Sequence, residues 1–157
     1  MIQKPGSKLG ERVGVFVCEC GMNISDTVNT EDVSEYAKTI PGVVHASVNK
    51  YTCSEPGQQE IRDCIKDNNL DRIVVAACSP RMHEPTFKAV AVESGLNPYL
   101  MEMANIREHC SWVHTEEKDA ATDKAKDLVR MAVARARYLQ AQEEVEVSVA
   151  RRALVVG

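Results

Sequence analysis

Four short apolar runs, at residues 13–17, 43–48, 73–77 and 99–104, alternate with stretches of helical periodicity, and each run leads into a cysteine. Strands that alternate with helices fold as an α/β domain with a parallel sheet and right-handed crossovers. In such a sheet all the strands end along one edge, which is where sites are built. The first run leads to Cys18 and Cys20, the second to Cys53, the third to Cys78 and the fourth to Cys110. These thiols are scattered in sequence but are carried toward a common edge. Four thiolates at one point are the ligand set of an iron–sulfur cluster or a zinc ion.

The intervening segments have readable boundaries. RVGVFV has the β-branched character of a buried parallel strand and ends in the glycine-containing turn CECGMN. Asn29 or Thr30 caps a helix through about Ile40, with Val33, Tyr36, Ala37 and Ile40 on one face, and Pro41-Gly42 stops it. Pro56 suits the start of a second helix, on which Ile61, Cys64 and Ile65 share a face. RIVVAA is the most apolar strand and therefore central. CSPRMHEPTF opens a helix through about Ser94, with Gly95 ending it. NPYLMEMAN is the fourth strand, and IREHCSWVH is a short helix or turn. Residues 119–142 form the long C-terminal helix, with Ala125, Leu128, Val129, Ala132, Ala136 and Leu139 as its buried stripe. The expected architecture is a four-stranded, Rossmann-like parallel sheet of order 2-1-3-4, flanked by helices. That order places a topological switch beside the end of strand one, flanked by Cys18, Cys20 and Cys78.

Composition narrows the function classes. Hydrophobic residues make up 44% and charged residues 27% of 157 positions, as in a soluble globular chain long enough for one domain. A formal charge of −4 gives no reason to expect nucleic acid or an anionic membrane as partner. No apolar stretch reaches the length of a membrane span, and the N-terminus lacks the apolar core of a signal peptide. A reducing cytoplasm is the expected compartment, where six cysteines serve as metal ligands or redox thiols rather than disulfides. Residues 1–11 read as a flexible leader, 12–143 as the domain, and 144–157 as a linker that enters a further strand.

Any one buried cysteine is as well explained as a small hydrophobe. Five at strand ends favour a shared site, although no CxxC pair exists. Cys64, in mid-helix on an apolar face, keeps the packing explanation. Cys78 precedes Ser79-Pro80 and Cys53 precedes Ser54-Glu55-Pro56, so both stand at helix N-termini, whose free N–H groups favour anionic sulfur. Ser79 has no evident base beside it and reads as an N-cap. Arg81 and His83 follow Cys78, while Arg107 and His109 flank Cys110. Each is either a hydrogen-bond donor around a cluster or surface polarity. Lys124, Lys126, Arg130, Arg135 and Arg137 read as a solvated helix face.

The blocks VGVFVCECGMNI, YTCSEPGQ, VVAACSPRMHEPTF, GLNPYLMEMANIREHCSWVH and DLVRMAVARA resemble the N-terminal region of the heterodisulfide reductase A subunit, from about Arg12 onward. The resemblance implies an iron–sulfur flavoprotein of anaerobic archaea and bacteria. The full-length protein joins this domain to a flavin (FAD) domain and ferredoxin-like inserts. In methanogens the complex reduces the disulfide of coenzymes M and B. Its electrons come from a hydrogenase or formate dehydrogenase component, and part of them is bifurcated to ferredoxin. The resemblance further implies one [4Fe–4S] cluster here, with ligands falling on Cys18 or Cys20, Cys53, Cys78 and Cys110. Which thiol of the CxCG turn ligates stays open, with Cys20 better placed by the bend at Gly21. RRALVVG resembles the first strand of a flavin-binding fold, with Gly157 as its first glycine. The sequence thus reads as part of a longer polypeptide. Its last strand, lacking partners, is expected to be unstructured or to pair with another molecule as a dimer.

The leading expectation is an electron-transfer module without a substrate pocket of its own. Two alternatives use the same cysteines: a zinc-stabilised structural or docking domain, and a thiol–disulfide module on Cys18 and Cys20.

Overall fold

The structure is a computed structural model that describes residues 11–156. Strands β1 (Val13–Cys18), β2 (Val43–Asn49), β3 (Arg72–Ala77) and β4 (Met101–Asn105) form one parallel sheet of order β2-β1-β3-β4. This is the expected order, with β1 and β3 in the middle and β2 and β4 at the edges. Every residue of β1 is buried, as a strand covered on both faces requires.

Helix α1 (Met22–Ser25) follows β1, and α2 (Thr30–Lys38) leads to β2. Helix α3 (Glu55–Asp67) joins β2 to β3, and α4 (Pro80–Glu93) joins β3 to β4. Helix α5 (Lys118–Ala136) packs against β4 and α2, whereas α3 packs against α4. The result is three layers with a core on each side of the sheet. Val13, Val15, Val17, Val74 and Ala76 point to the α2–α5 side with Val33, Val129 and Val133. Phe16, Cys18, Ile73, Val75 and Ala77 point to the α3–α4 side with Ile61, Phe87 and Val90. This alternation is the two-residue period of a strand.

The helix starts follow the sequence signals. The side chain of Asn29 accepts from the Asp32 N–H, that of Ser54 from Gly57, and that of Ser79 from Arg81. Three boundaries differ from expectation. The CECGMN turn contains the short α1, secured by a hydrogen bond from Ser25 Oγ to the Gly21 carbonyl at 2.6 Å. Residues Pro98–Leu100 form a 3-10 turn, because the Asn97 side chain accepts from the Tyr99 N–H, and β4 starts only at Met101. Helix α5 stops at Ala136, short of the expected end at 142. There Arg72 donates from Nε to the Ala136 carbonyl at 2.9 Å and from Nη2 to the Leu139 carbonyl at 3.3 Å. A side chain from the start of β3 thus takes the carbonyls that a longer helix would have bonded internally.

The basic face of α5 is partly engaged. Lys126 reaches Asp32 at 2.6 Å and Arg135 reaches Glu102 at 2.9 Å, while Arg137 pairs with Glu11. Arg130 pairs with Asp127 within the helix, and Lys124 lies 3.2 Å from His114. Asn97 Nδ2 donates to the Gln142 carbonyl at 2.9 Å, holding the chain after α5 against the sheet end. Beyond it, residues up to 156 form no helix or strand, and Val145, Val147, Val149, Leu154, Val155 and Val156 are exposed. The expected leader, apart from Glu11, and Gly157 lie outside the described residues. Among the described residues no helix is long and apolar enough to cross a membrane.

Candidate metal centre

Cys18 is the last residue of β1, and its sulfur lies on the α3–α4 side of the sheet. It accepts the Cys20 N–H at 3.3 Å and the Thr52 N–H at 3.4 Å. Two residues on, the chain bends sharply: Cys20 has φ +49° and Gly21 φ +58°. A Cβ at Gly21 would come within 2.7 Å of the Tyr51 hydroxyl, so the bend needs glycine both for its conformation and for that close approach. The turn after β2 brings Cys53 to the same edge. It is fixed by α3, since a Cβ on Gly57 would meet the Tyr51 and Thr52 carbonyl oxygens at 2.6 and 2.7 Å. Cys78 follows directly from β3, before the Ser79 cap.

The electrostatics place these four thiols in one neighbourhood. Burial raises the Cys78 thiol most; Arg107 opposes this, the thiols of Cys20, Cys18 and Cys53 add to it, and the net result is about 11. Cys53 is raised first by burial, then by Cys18 and more weakly by Cys20, with Arg107 again opposing. Cys53 and Cys78 thus resist ionisation, in part because other thiols stand near them, and a bound cation would relieve that repulsion.

Arg107 is the positive counterpart. Asn105 at the end of β4 accepts from the backbone N–H groups of Arg107 and Glu108 at 3.2 and 3.0 Å, which turns the chain back over the sheet edge. From there Arg107 Nη1 lies 3.4 Å from Cys20 Sγ and Nη2 donates to Glu108 at 2.9 Å. Its guanidinium carbon stands 4.7 Å from the centre of the Trp112 ring. Burial opposes its charge, but the hydrogen bonds to Glu108 and Cys20 hold it above its ordinary value.

Two buried donors beside the thiols have no partner: Arg107 Nε and the Thr52 hydroxyl. Sulfide and thiolate sulfurs of a cluster are acceptors that such donors suit. The spread of the thiols bears on the metal. Among the described residues only His45, Glu60 and Cys64 bring three ligand atoms within 4.8 Å of one another. A tetrahedral zinc with bonds of about 2.3 Å would hold its sulfurs about 3.8 Å apart. No three of the sheet-edge thiols come within 4.8 Å of one another as they stand.

Cys110 stands apart from the other candidate ligands. It lies five residues past β4, fully buried on the α2–α5 side of the sheet, and its thiol donates to the Ala121 carbonyl at 3.0 Å. Burial raises it and Lys124 lowers it, with no contribution from another cysteine. The structure thus joins Cys18, Cys20, Cys53 and Cys78 and leaves Cys110 in the opposite core. The neighbouring candidates also separate. Ser79 is the α4 N-cap, Arg81 and His109 are exposed, and the His83 ring lies 6.4 Å from Phe87. Arg107 alone among them reaches a sulfur. Cys64 does more than pack, since its sulfur lies 3.4 Å from His45 Nε2. Sequence reasoning missed the His45–Glu60–Cys64 group because its members come from two different elements and carry no motif.

The chain is thus a three-layer α/β domain that carries four thiols and an arginine around its switch point. No protein-family model matches the chain. Over 146 residues, 93% of the chain, it is 58% identical to the second iron-sulfur A subunit of CoB–CoM heterodisulfide reductase from Methanopyrus kandleri. It is 56% identical over the same length to the A subunit of the H2:CoB-CoM heterodisulfide,ferredoxin reductase of Methanothermobacter marburgensis. Against the iron-sulfur A subunit of CoB–CoM heterodisulfide reductase from Methanocaldococcus jannaschii the identity is 48% over 149 residues. The chain therefore corresponds to a segment of the heterodisulfide reductase A subunit, as its motifs indicated. It spans 22%, 22% and 23% of the lengths of these relatives, whose names are those of oxidoreductase components.

Proposed function

We propose that this domain is an electron-transfer module that holds one [4Fe–4S] cluster on Cys18, Cys20, Cys53 and Cys78. The observation that carries the reading is the gathering of these four thiols, with Arg107 against Cys20, at one edge of the sheet. When bound, the cluster supplies one-electron redox chemistry. The protein's part is to hold and tune it. The N–H groups of Cys20 and Thr52 stabilise negative charge on the Cys18 sulfur, and Arg107 does so at Cys20. Phe16, Ala77 and the rest of the α3–α4 core keep water from one side of the thiols. With Cys110 in the other core, both thiols of the CxCG turn are needed to complete a four-sulfur set.

The names of the relatives support a wider role. We infer that the chain works within the flavin-containing A subunit of a heterodisulfide reductase, in the cytoplasm, as part of an oxidoreductase that reduces the CoM–CoB disulfide. FAD would sit in another part of that polypeptide. Other reductase subunits, a hydrogenase or formate dehydrogenase input component, and ferredoxin would be its redox partners, with bifurcation among them. Anaerobic reconstitution tests the cluster: about four irons and four acid-labile sulfides per chain, and an EPR signal on reduction, are expected. Zinc without sulfide would establish the structural-ion alternative instead.

A further inference from the structure

Away from the sheet-edge thiols, edge strand β2 and helix α3 face each other through polar residues. His45, Ser47 and Asn49 are spaced two apart on β2, so they share one face. Glu60 and Cys64 are four apart on α3, so they also share a face. We propose that His45, Glu60 and Cys64 form a second metal site, which takes a divalent cation of the zinc class and is independent of the cluster.

The geometry carries the inference. One ligand atom from each residue lies within 4.8 Å of the other two, and His45 Nε2 is 3.4 Å from Cys64 Sγ. Tetrahedral zinc, with Zn–S of about 2.3 Å and Zn–N of about 2.0–2.1 Å, sets those two atoms about 3.5 Å apart. The ligands are held in place before any ion arrives. The His45 ring tilts 40° against fully buried Phe16, with centroids 5.6 Å apart. Glu60 accepts from the Ser47 hydroxyl at 2.8 Å through one oxygen and from Asn49 Nδ2 through the other. Asn49 is itself 9% exposed, and its Oδ1 is buried without a partner beside the group. Such outer hydrogen bonds fix a ligand carboxylate.

The donor set selects the ion. Imidazole, thiolate and carboxylate together suit zinc rather than magnesium or calcium, which prefer oxygen alone. A Cys64 thiolate and a Glu60 carboxylate neutralise a divalent charge, and the thiol proton leaves to solvent on binding. All three residues are only partly buried, so an ion has access and a water completes its fourth position.

Zinc uptake by the anaerobically reconstituted chain, measured by competition with a chromophoric chelator, tests the site. The wild type should bind one zinc beyond its iron. Cys64→Ser and His45→Ala should each weaken it at least about tenfold, with iron, sulfide and the far-UV spectrum unchanged. If the four sheet-edge thiols take zinc instead of iron, the wild-type count becomes two and Cys64→Ser lowers it to one. The site and the cluster reading therefore fail separately. Equal zinc affinity in wild type and Cys64→Ser, or no zinc in the wild type, overturns the site. That outcome would leave a thiol–imidazole hydrogen bond.

Discussion

Cys78 and Cys110 both follow a strand, and both are buried, yet one joins the thiol group and the other supports the opposite core. The difference is where the chain leaves the sheet. Cys78 comes directly after β3, so its sulfur stays at the edge beside the end of β1. Cys110 comes after a turn that Asn105 starts by accepting two backbone N–H groups. That turn returns the chain under α5, where the thiol finds the Ala121 carbonyl. A cysteine near a strand end is therefore not yet a cysteine at the site. The number of residues past the edge, and the face to which the turn delivers it, decide between ligand and filler.

The sharpest way to break this contrast is to remove each sulfur in turn. Cys78→Ser should lose most of the reconstituted iron and sulfide, because three thiolates cannot complete the set. Cys110→Ala should keep iron and sulfide at the wild-type level. It should instead lower the stability of the metal-free domain by about 1–2 kcal/mol, from a lost buried contact and an unfilled volume. Iron analysis and denaturant unfolding of the two variants check this. Equal iron loss in both would return Cys110 to the site.

Most of the fold was legible because it rests on local signals. β-branched runs marked the strands; Asn29 or Thr30, Pro56 and Ser79 marked three helix starts, which the structure caps with Asn29, Ser54 and Ser79. The expected sheet order 2-1-3-4 is the one the structure has. Two of the misses are local, the short α1 and the 3-10 turn before β4, and others depend on contacts distant in sequence. The apolar spacing of α5 continues to Leu139, but Arg72, 64 residues before Ala136, ends the helix by occupying its carbonyls. His109 and Arg107 looked alike beside Cys110, and only the Asn105 turn shows that Arg107 reaches back to Cys20 while His109 faces water. Cys18, Cys20, Cys53 and Cys78 were legible as candidates, because strand ends define one edge. Cys110 was not separable from them without the turn.

Arg107 sharpens the contrast with a smaller effect. It is a cation in direct contact with a sulfur of the thiol edge, whereas Lys124 acts on Cys110 only through its charge. A cation near a cluster stabilises its more negative, reduced form. Arg107→Gln should therefore lower the reduction potential by tens of millivolts, where about 59 mV corresponds to about 1.4 kcal/mol for one electron. Arg107→Lys, which keeps the charge but loses the fork over Trp112, should fall between the two. Iron content should stay close to wild type in both, since Arg107 holds no metal. Redox titration followed by EPR measures the shift. An unchanged potential in Arg107→Gln would make this residue a packing element of the edge.

The smallest effect belongs to the tail. Residues 145–156 contain strand-prone valines, yet form no strand and leave Val145, Val147 and Val149 exposed. The last anchors to the domain are the Asn97 bond to the Gln142 carbonyl and the Tyr99 hydroxyl 3.3 Å from Glu144. Nothing apolar beyond them is buried among the described residues, so removing residues 145–157 costs little hydrophobic free energy. A chain ending at Glu144 should keep its iron, its helix content and its stability to within about 0.5 kcal/mol, the range of a surface change. Because an unpaired apolar segment seeks other backbones, the longer chain should also self-associate more, measurable by sedimentation at matched concentration. A chain ending at Ala141 loses the Gln142 anchor as well, and should be the less stable of the two. If the cut at Glu144 instead unfolds the domain or empties it of iron, the tail belongs to its core and the domain extends past that residue.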